Sequence, residues 1–254
     1  APTVQLNVTT ADINGVVTIS GDTTLEAGAD LITSTAGTSN FRAGVNAGNS
    51  IQSGGNYNTV VGDEAGTAIT TGDNNTAIGY AALDANTTGS ANTAVGTNSL
   101  AVNSSGQHNV GLGSLALSAN TTGNQNTAIG YQTMFSNTTG TRNTASGHGA
   151  LYTNTTASDN SAFGYYALVY NTTGTRNTAV GTYALDANTT TSYNTAVGYL
   201  SLSANTSGVS NVAVGDSALS LSTSGDNCTA LGQAALSANT SGDNNTAVGR
   251  AALI

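Results

Sequence analysis

Asn177-Thr178-Ala179-Val180-Gly181-Thr182-Tyr183-Ala184-Leu185-Asp186-Ala187-Asn188-Thr189-Thr190 is one copy of a phrase that fills most of this chain. Its glycine recurs at Gly62, Gly79, Gly96, Gly113, Gly130, Gly147, Gly164, Gly198, Gly215, Gly232 and Gly249, so that neighbouring copies lie 17 residues apart. From Asn58 onward twelve copies follow without insertion, in the form N-T-A-V-G-x-x-A-L-x-x-N-T-T-G-x-x. A catalytic site needs no such regularity. A stack of identical coils does, because each coil meets its neighbours through the same slots. A helix–turn–helix repeat takes roughly 30 residues or more, so 17 is too short for one. The reading is all-β: a parallel β-solenoid or β-roll of twelve 17-residue coils.

Counting slots from the first Asn, slot 1 is Asn in eleven of twelve copies (Cys228 differs), and slot 9 is Leu in ten (Gly66 and Met134 differ). Among eleven complete copies, slot 12 is Asn in nine and slot 15 is Gly in nine. Slots 2 to 4, as in Thr178-Ala179-Val180, read as a short strand with Thr and Val on one face and Ala on the other. Gly181 suits a bend or a close backbone approach. Ala184 and Leu185 return apolar groups to the interior, and Asn-Thr-Thr-Gly is turn chemistry with a glycine free to take positive φ. Val180 and Leu185 are expected to fill the coil. Asn177 and Asn188 are expected to form amide ladders along the axis. At the parallel-strand spacing, twelve coils make a rod of roughly 57 Å. The small slot-3 alanines then offer a flat face for another chain, which points to a homotrimeric fibre.

Composition supports a fibre over a globule. Charged residues are 7%, aromatics 5%, and the net charge is −9 with only four basic residues, which argues against a nucleic-acid groove. No run approaches the roughly 20 apolar residues of a membrane helix, so no membrane insertion is expected. The single Cys228 rules out an intrachain disulfide framework.

Residues 1–39 differ from the rest. Val4, Leu6 and Val8 alternate with polar residues, and Val16-Val17-Thr18-Ile19 and Leu31-Ile32-Thr33 are further β-prone runs, as in a β-rich opening or cap segment. Residues 40–57 read as an atypical first coil, because Gly44 lies 18 residues before Gly62. Residues 58–254 are the regular repeat. The start at Ala1-Pro2 without Met suggests a removed leader or a longer product. Arg250 to Ile254 stop inside a copy, so a following domain or the next subunit's residues 1–39 are expected to cover that coil.

At Asn-Thr-Ala-Val-Gly the chain resembles the head repeats of trimeric autotransporter adhesins, which are trimeric left-handed parallel β-rolls with a shorter period. The fuller phrase, as in Asn126-Thr127-Ala128-Ile129-Gly130-Tyr131 and Asn171-Thr172-Thr173-Gly174, is similar to repeats in phage tail fibres. So is the opening Gly15-Val16-Val17-Thr18-Ile19-Ser20-Gly21-Asp22-Thr23-Thr24-Leu25. The resemblance implies a trimeric rod, in tail fibres often followed by a self-cleaving chaperone domain. It carries over no binding residues.

Chemistry-bearing residues are few. No Ser-His-Asp order, paired carboxylates at a conspicuous spacing or phosphate loop occurs, so no catalytic residues, cofactor or metal are expected. His108 and His148 fall in slots 17 and 6 and read as surface or packing residues. Asp73, Asp226 and Asp243 sit in turns without the glycine pattern of calcium-binding β-rolls. Nine slot-12 asparagines begin Asn-x-Ser/Thr sequons, which the structural role of that slot explains without sugar. Tyr80, Tyr131, Tyr165 and Tyr199 share slot 6 and form the candidate recognition column, with Tyr166 and Tyr183 in slot 7. Such a column suits a glycan or a partner surface, or else covers an apolar seam.

The leading expectation is a non-enzymatic structural fibre: a viral tail or surface fibre, on the virion or extracellular, that presents or forms a host-receptor-contacting element. The alternative is a bacterial adhesin or a head-to-tail extracellular filament subunit. Ice binding by the Thr columns of slots 2 and 13 is a third reading.

Overall fold

The computed structural model describes residues 37–254; the expected β-rich opening segment lies almost wholly outside the described residues. The remainder is a parallel β-solenoid. Thirteen three-residue strands, from β1 (Phe41–Ala43) and β2 (Thr59–Val61) to β13 (Thr246–Val248), pair in strict sequence order in one parallel sheet. β9 (Thr178–Val180) and β10 (Thr195–Val197) show the register, with Thr178 opposite Thr195, Ala179 opposite Ala196 and Val180 opposite Val197. The pairing of β1 with β2 is offset by 18 residues, Phe41 opposite Thr59, which places the extra residue of the first coil outside the strand.

Backbone hydrogen bonds join coils well beyond the strands. In the coil of residues 177–193, Thr178 and Leu185 donate forward to Asn194 and Ser201, while Gly181 and Tyr183 donate backward to Phe163 and Tyr165, at 2.8–3.0 Å. That two-way stitching depends on left-handed backbone at three non-glycine slots: Tyr183 (φ 56), Leu185 (φ 55) and Tyr193 (φ 64). Bulky residues adopt such angles only where the surroundings impose them. Here the imposing element is the pair of neighbouring coils.

The orientation of the strands reverses the sequence expectation. Ala179 is fully buried, as are its equivalents Ala77, Ala94 and Ala128, while Val180 is 37% exposed. The slot-3 alanine therefore points inward, and no alanine face is offered to another chain. The core of each coil is Ala179, Ala184 and Leu185, with Asn177 and Asn188 also buried. Space explains the choice, because the strand faces the slot-9 leucine across a narrow interior. In the coil of residues 58–74 the sizes are exchanged: Val60 replaces Ala and Gly66 replaces Leu. A Cβ on Gly66 would lie 2.7 Å from Val60 Cγ1. Ile69, which replaces the slot-12 Asn in that coil, fills the same space, its Cδ1 standing 2.8 Å from the same Cβ, so a larger group on the strand is matched by loss of the leucine opposite.

The amide ladders are present. Asn137 donates to Oδ1 of Asn120 at 2.8 Å, and the backbone N–H of Asn143 donates to Oδ1 of Asn126 at 3.0 Å. The two columns also converge within each coil, because Asn126 and Asn137 both donate Nδ2 to the Gly140 carbonyl, at 2.8 and 3.2 Å. Every polar atom buried this way has a partner, so the asparagines function as core residues.

The slot-15 glycine serves a different purpose from the one expected. None of these glycines has a positive φ. A Cβ on Gly174 would instead stand 2.2 Å from the Thr191 carbonyl of the next coil and 2.5 Å from Asn171 Oδ1. Close approach is the requirement there. Gly181, by contrast, meets both conditions, with φ +135 and a Cβ that would lie 2.4 Å from the Gly198 carbonyl. In the first described coil Arg42 takes the inward slot, opposite Val60, and donates Nη1 to the Gly48 carbonyl at 2.9 Å.

Candidate recognition cleft

The sequence-predicted structural set behaves as one unit except for Val180. Asn177, Leu185 and Asn188 are buried, Gly181 makes the bend, and Val180 faces out. With it face Ile78, Ile129, Phe163, Val214 and Leu231, each 36–42% exposed, as an interrupted apolar row along the outer face of the sheet.

The slot-6 tyrosines are exposed, but they are not one continuous column. Tyr131 and Tyr165 are joined through His148, whose ring lies edge-on to both at centroid distances of 5.2 Å. Tyr80 and Tyr199 stand apart, between Asp63 and Thr97 and between Thr182 and Asp216 in the same column. His148 is a packing histidine. His108 is exposed. Among the described residues, no group of three or more His, Cys, Asp or Glu side chains could hold a metal ion. The slot-12 asparagines from Asn86 to Asn205 are fully buried and hydrogen-bonded, which favours the structural reading of the sequons. Cys228 keeps the place of Asn in its column: its backbone N–H donates to Asn211 Oδ1 at 2.8 Å, and its Sγ donates to the Gly242 carbonyl at 3.1 Å.

The aromatic cluster continues into the turn beyond. Tyr165 meets Tyr166 edge-on at 4.4 Å, and Tyr166 and Tyr183 lie face to face at 6.1 Å with 28° between planes. Beside them opens a cleft of about 450 Å³, lined by Gln132, Tyr152, Tyr166, Tyr170, Tyr183 and Asp186, with Val169. Four consecutive coils contribute, through slots 7, 10 and 11.

A break in the side-chain columns makes the room. Slot 7 is occupied by a side chain in every coil except that of residues 143–159, where Gly149 stands. The Tyr166 ring settles over it, so that a Cβ on Gly149 would meet Tyr166 Cε1 at 2.3 Å. On the other side of the cleft, slots 10 and 11 change from the small residues of most coils to Phe135, Tyr152, Val169 and Tyr170. Phe135 stacks on Tyr152 at 5.2 Å and 8°. Tyr170 is 58% exposed.

Asp186 is the one charged group of the lining. Its Oδ1 is buried with no hydrogen-bond partner. Burial holds the carboxyl above the ordinary carboxylate range, against the opposing effect of the backbone N–H groups of Asp186 and Ala187. Burial also raises the Tyr166 phenol, with Tyr165 adding to the effect. Sequence reasoning picked out Tyr166 and Tyr183 but passed over Gln132, Tyr152, Tyr170 and Asp186. The signal was present as a local cluster of large residues in slots elsewhere small, with a glycine beside it.

No protein-family model, curated protein or solved structure matches the chain. Among the described residues no helix is long and apolar enough to cross a membrane. The class defined by the fold is a β-solenoid repeat protein.

Proposed function

We propose that this chain is a structural fibre protein that assembles as a homotrimer and serves as a viral tail or surface fibre, presenting or forming the element that contacts a host receptor. The observation that carries the reading is the outward row of Ile78, Ile129, Phe163, Val180, Val214 and Leu231, which recurs at one slot along the sheet. An exposed apolar row, even one interrupted at Ser146, marks a candidate interaction surface. It replaces the alanine face as the reason for expecting trimers, because a repeated row suits a repeated partner: the same row on another copy.

The fibre is proposed to be non-catalytic, without cofactor or metal, to bind neither nucleic acid nor membrane interior, and to sit on the virion or outside the cell. The phage-fibre resemblance and the acidic, sparsely charged composition support this over a cellular filament. Light scattering of the purified chain tests the assembly. The trimer mass is expected, and Ile129→Glu with Val180→Glu is expected to yield monomers of unchanged fold. A monomer at all concentrations would rule the trimer out. Immunogold microscopy on lysates tests location, and label on cell surfaces in the absence of particles would favour the adhesin alternative.

A further inference from the structure

We propose that the cleft between Tyr166, Tyr183 and Asp186 binds a neutral saccharide, the tyrosine faces carrying the sugar's C–H surface and the buried Asp186 Oδ1 accepting a hydroxyl hydrogen bond. This names the ligand class for the receptor contact proposed above and rests on that reading only for calling the sugar a receptor's; the binding itself stands on the cleft.

Three observations converge on this occupant. The volume of about 450 Å³ lies within the range of small-molecule sites. Four tyrosines give the lining aromatic faces with polar edges, which suits a molecule that is apolar on one side and hydroxylated on its rim. Asp186 Oδ1 is buried without a donor, an arrangement that costs stability unless a ligand supplies one. Sugar hydroxyls supply donors and acceptors together, and Gln132 can use both. The lining holds no cationic side chain, so an acidic sugar would meet the Asp186 carboxylate with nothing to offset it. A quaternary ammonium ion would be held by the rings and the carboxylate. It has no hydrogen to give Oδ1, and so leaves the orphaned atom as it was.

The cleft is also built, in the sense that a column exception creates it. Gly149 removes the one side chain that would keep Tyr166 from lying flat, and the aromatic residues of slots 10 and 11, Phe135, Tyr152 and Tyr170, are confined to the same stretch. A site repeated in every coil would be a property of the rod. This one occurs at a single height.

The test uses the whole chain against a panel of immobilised neutral oligosaccharides carrying glucose, galactose, mannose, N-acetylhexosamine or fucose units, with tetramethylammonium as a soluble competitor. At least one oligosaccharide is expected to bind. Asp186→Ala and Tyr183→Ala are expected to weaken that binding by about tenfold or more, the scale of losing one hydrogen bond to a charged group. Tyr57→Ala, on an exposed residue far along the chain, is expected to leave it unchanged. Should Tyr183→Ala fold poorly, Tyr170→Ala carries the test, because that side chain is largely exposed. Failure of every sugar to bind, binding that the cleft variants do not weaken, or displacement by tetramethylammonium below the sugar's own concentration would each overturn the proposal. Sugar binding by a protein found away from virions would refute the fibre assignment and leave the cleft assignment standing. A virion fibre that binds no sugar would do the reverse.

Discussion

Asn188 donates its side-chain amide to Oδ1 of Asn171, one coil earlier, at 2.9 Å. The same bond repeats at this slot from Asn103 onward and then meets Ser222, whose hydroxyl is buried without a partner. Serine is too short to reach both the preceding amide and the slot-15 carbonyl. Ser222→Asn is expected to restore both bonds and raise the urea midpoint, by an amount equivalent to about 1–2 kcal/mol. A lowered midpoint would show that the ladder is not the stabilising element it is taken for.

The inward alanine sets a second expectation. Ala179→Leu forces a large group against Leu185 and should cost about 1–3 kcal/mol, whereas Val180→Leu, on the outer face, should stay within about 0.5 kcal/mol. Leu185→Ala should cost about 2–5 kcal/mol. Denaturant melts of the three variants side by side check the orientation directly, and equal costs at 179 and 180 would contradict it.

The reversal at Ala179 also shows what the amino-acid sequence displays and what it hides. The 17-residue period was legible because stacked coils in register force every slot to repeat, and the glycine series made the register visible. Alternation within Thr178-Ala179-Val180 distinguishes two faces but does not say which is inside. Hydrophobicity alone favoured Val180, while the narrow interior selects for size. The clue lay in one exceptional coil, where Val60 appears together with Gly66 and Ile69, the three sharing the space that Ala, Leu and Asn divide elsewhere. The cleft was hidden for a related reason. Tyr165 and Tyr166 stand out as aromatic residues, but Asp186 looks like any turn aspartate until the neighbouring coils bury it.

Asp186 gives a pH-dependent expectation whose sign follows from its raised carboxyl. A folded-state value above the unfolded one means that the neutral form is favoured by folding. That contribution is fully present below the unfolded value of about 3.9 and is lost as pH rises through the folded value. Asp186→Asn should therefore raise the melting temperature at pH 7 and leave it nearly unchanged at pH 3. An equal gain at both pH values would mean the carboxylate's charge is not what burial penalises.

Gly181 carries the strictest requirement of the repeat. Gly181→Ala must place a Cβ against the Gly198 carbonyl and hold alanine at φ +135, so a loss on the order of 2–4 kcal/mol is expected. Proteolysis should then begin near this coil, because each coil is held only by its neighbours. Cleavage confined to the ends would indicate that the stack absorbs the substitution.

The 18-residue offset between β1 and β2 is the single departure from the 17-residue step among the described coils, and it falls in the outermost one. An extra residue there disturbs one junction; in an inner coil it would misalign two. Whole units are another matter. Copying one complete unit inserts a segment whose both faces already match what lies above and below, so the rod can lengthen by steps of about 4.8 Å while the cleft keeps its chemistry and only changes its height. The protein is in that sense a ruler with one marked graduation: in-frame duplication or deletion of a unit before the four cleft coils moves the mark without redrawing it, whereas the same change within those four erases it.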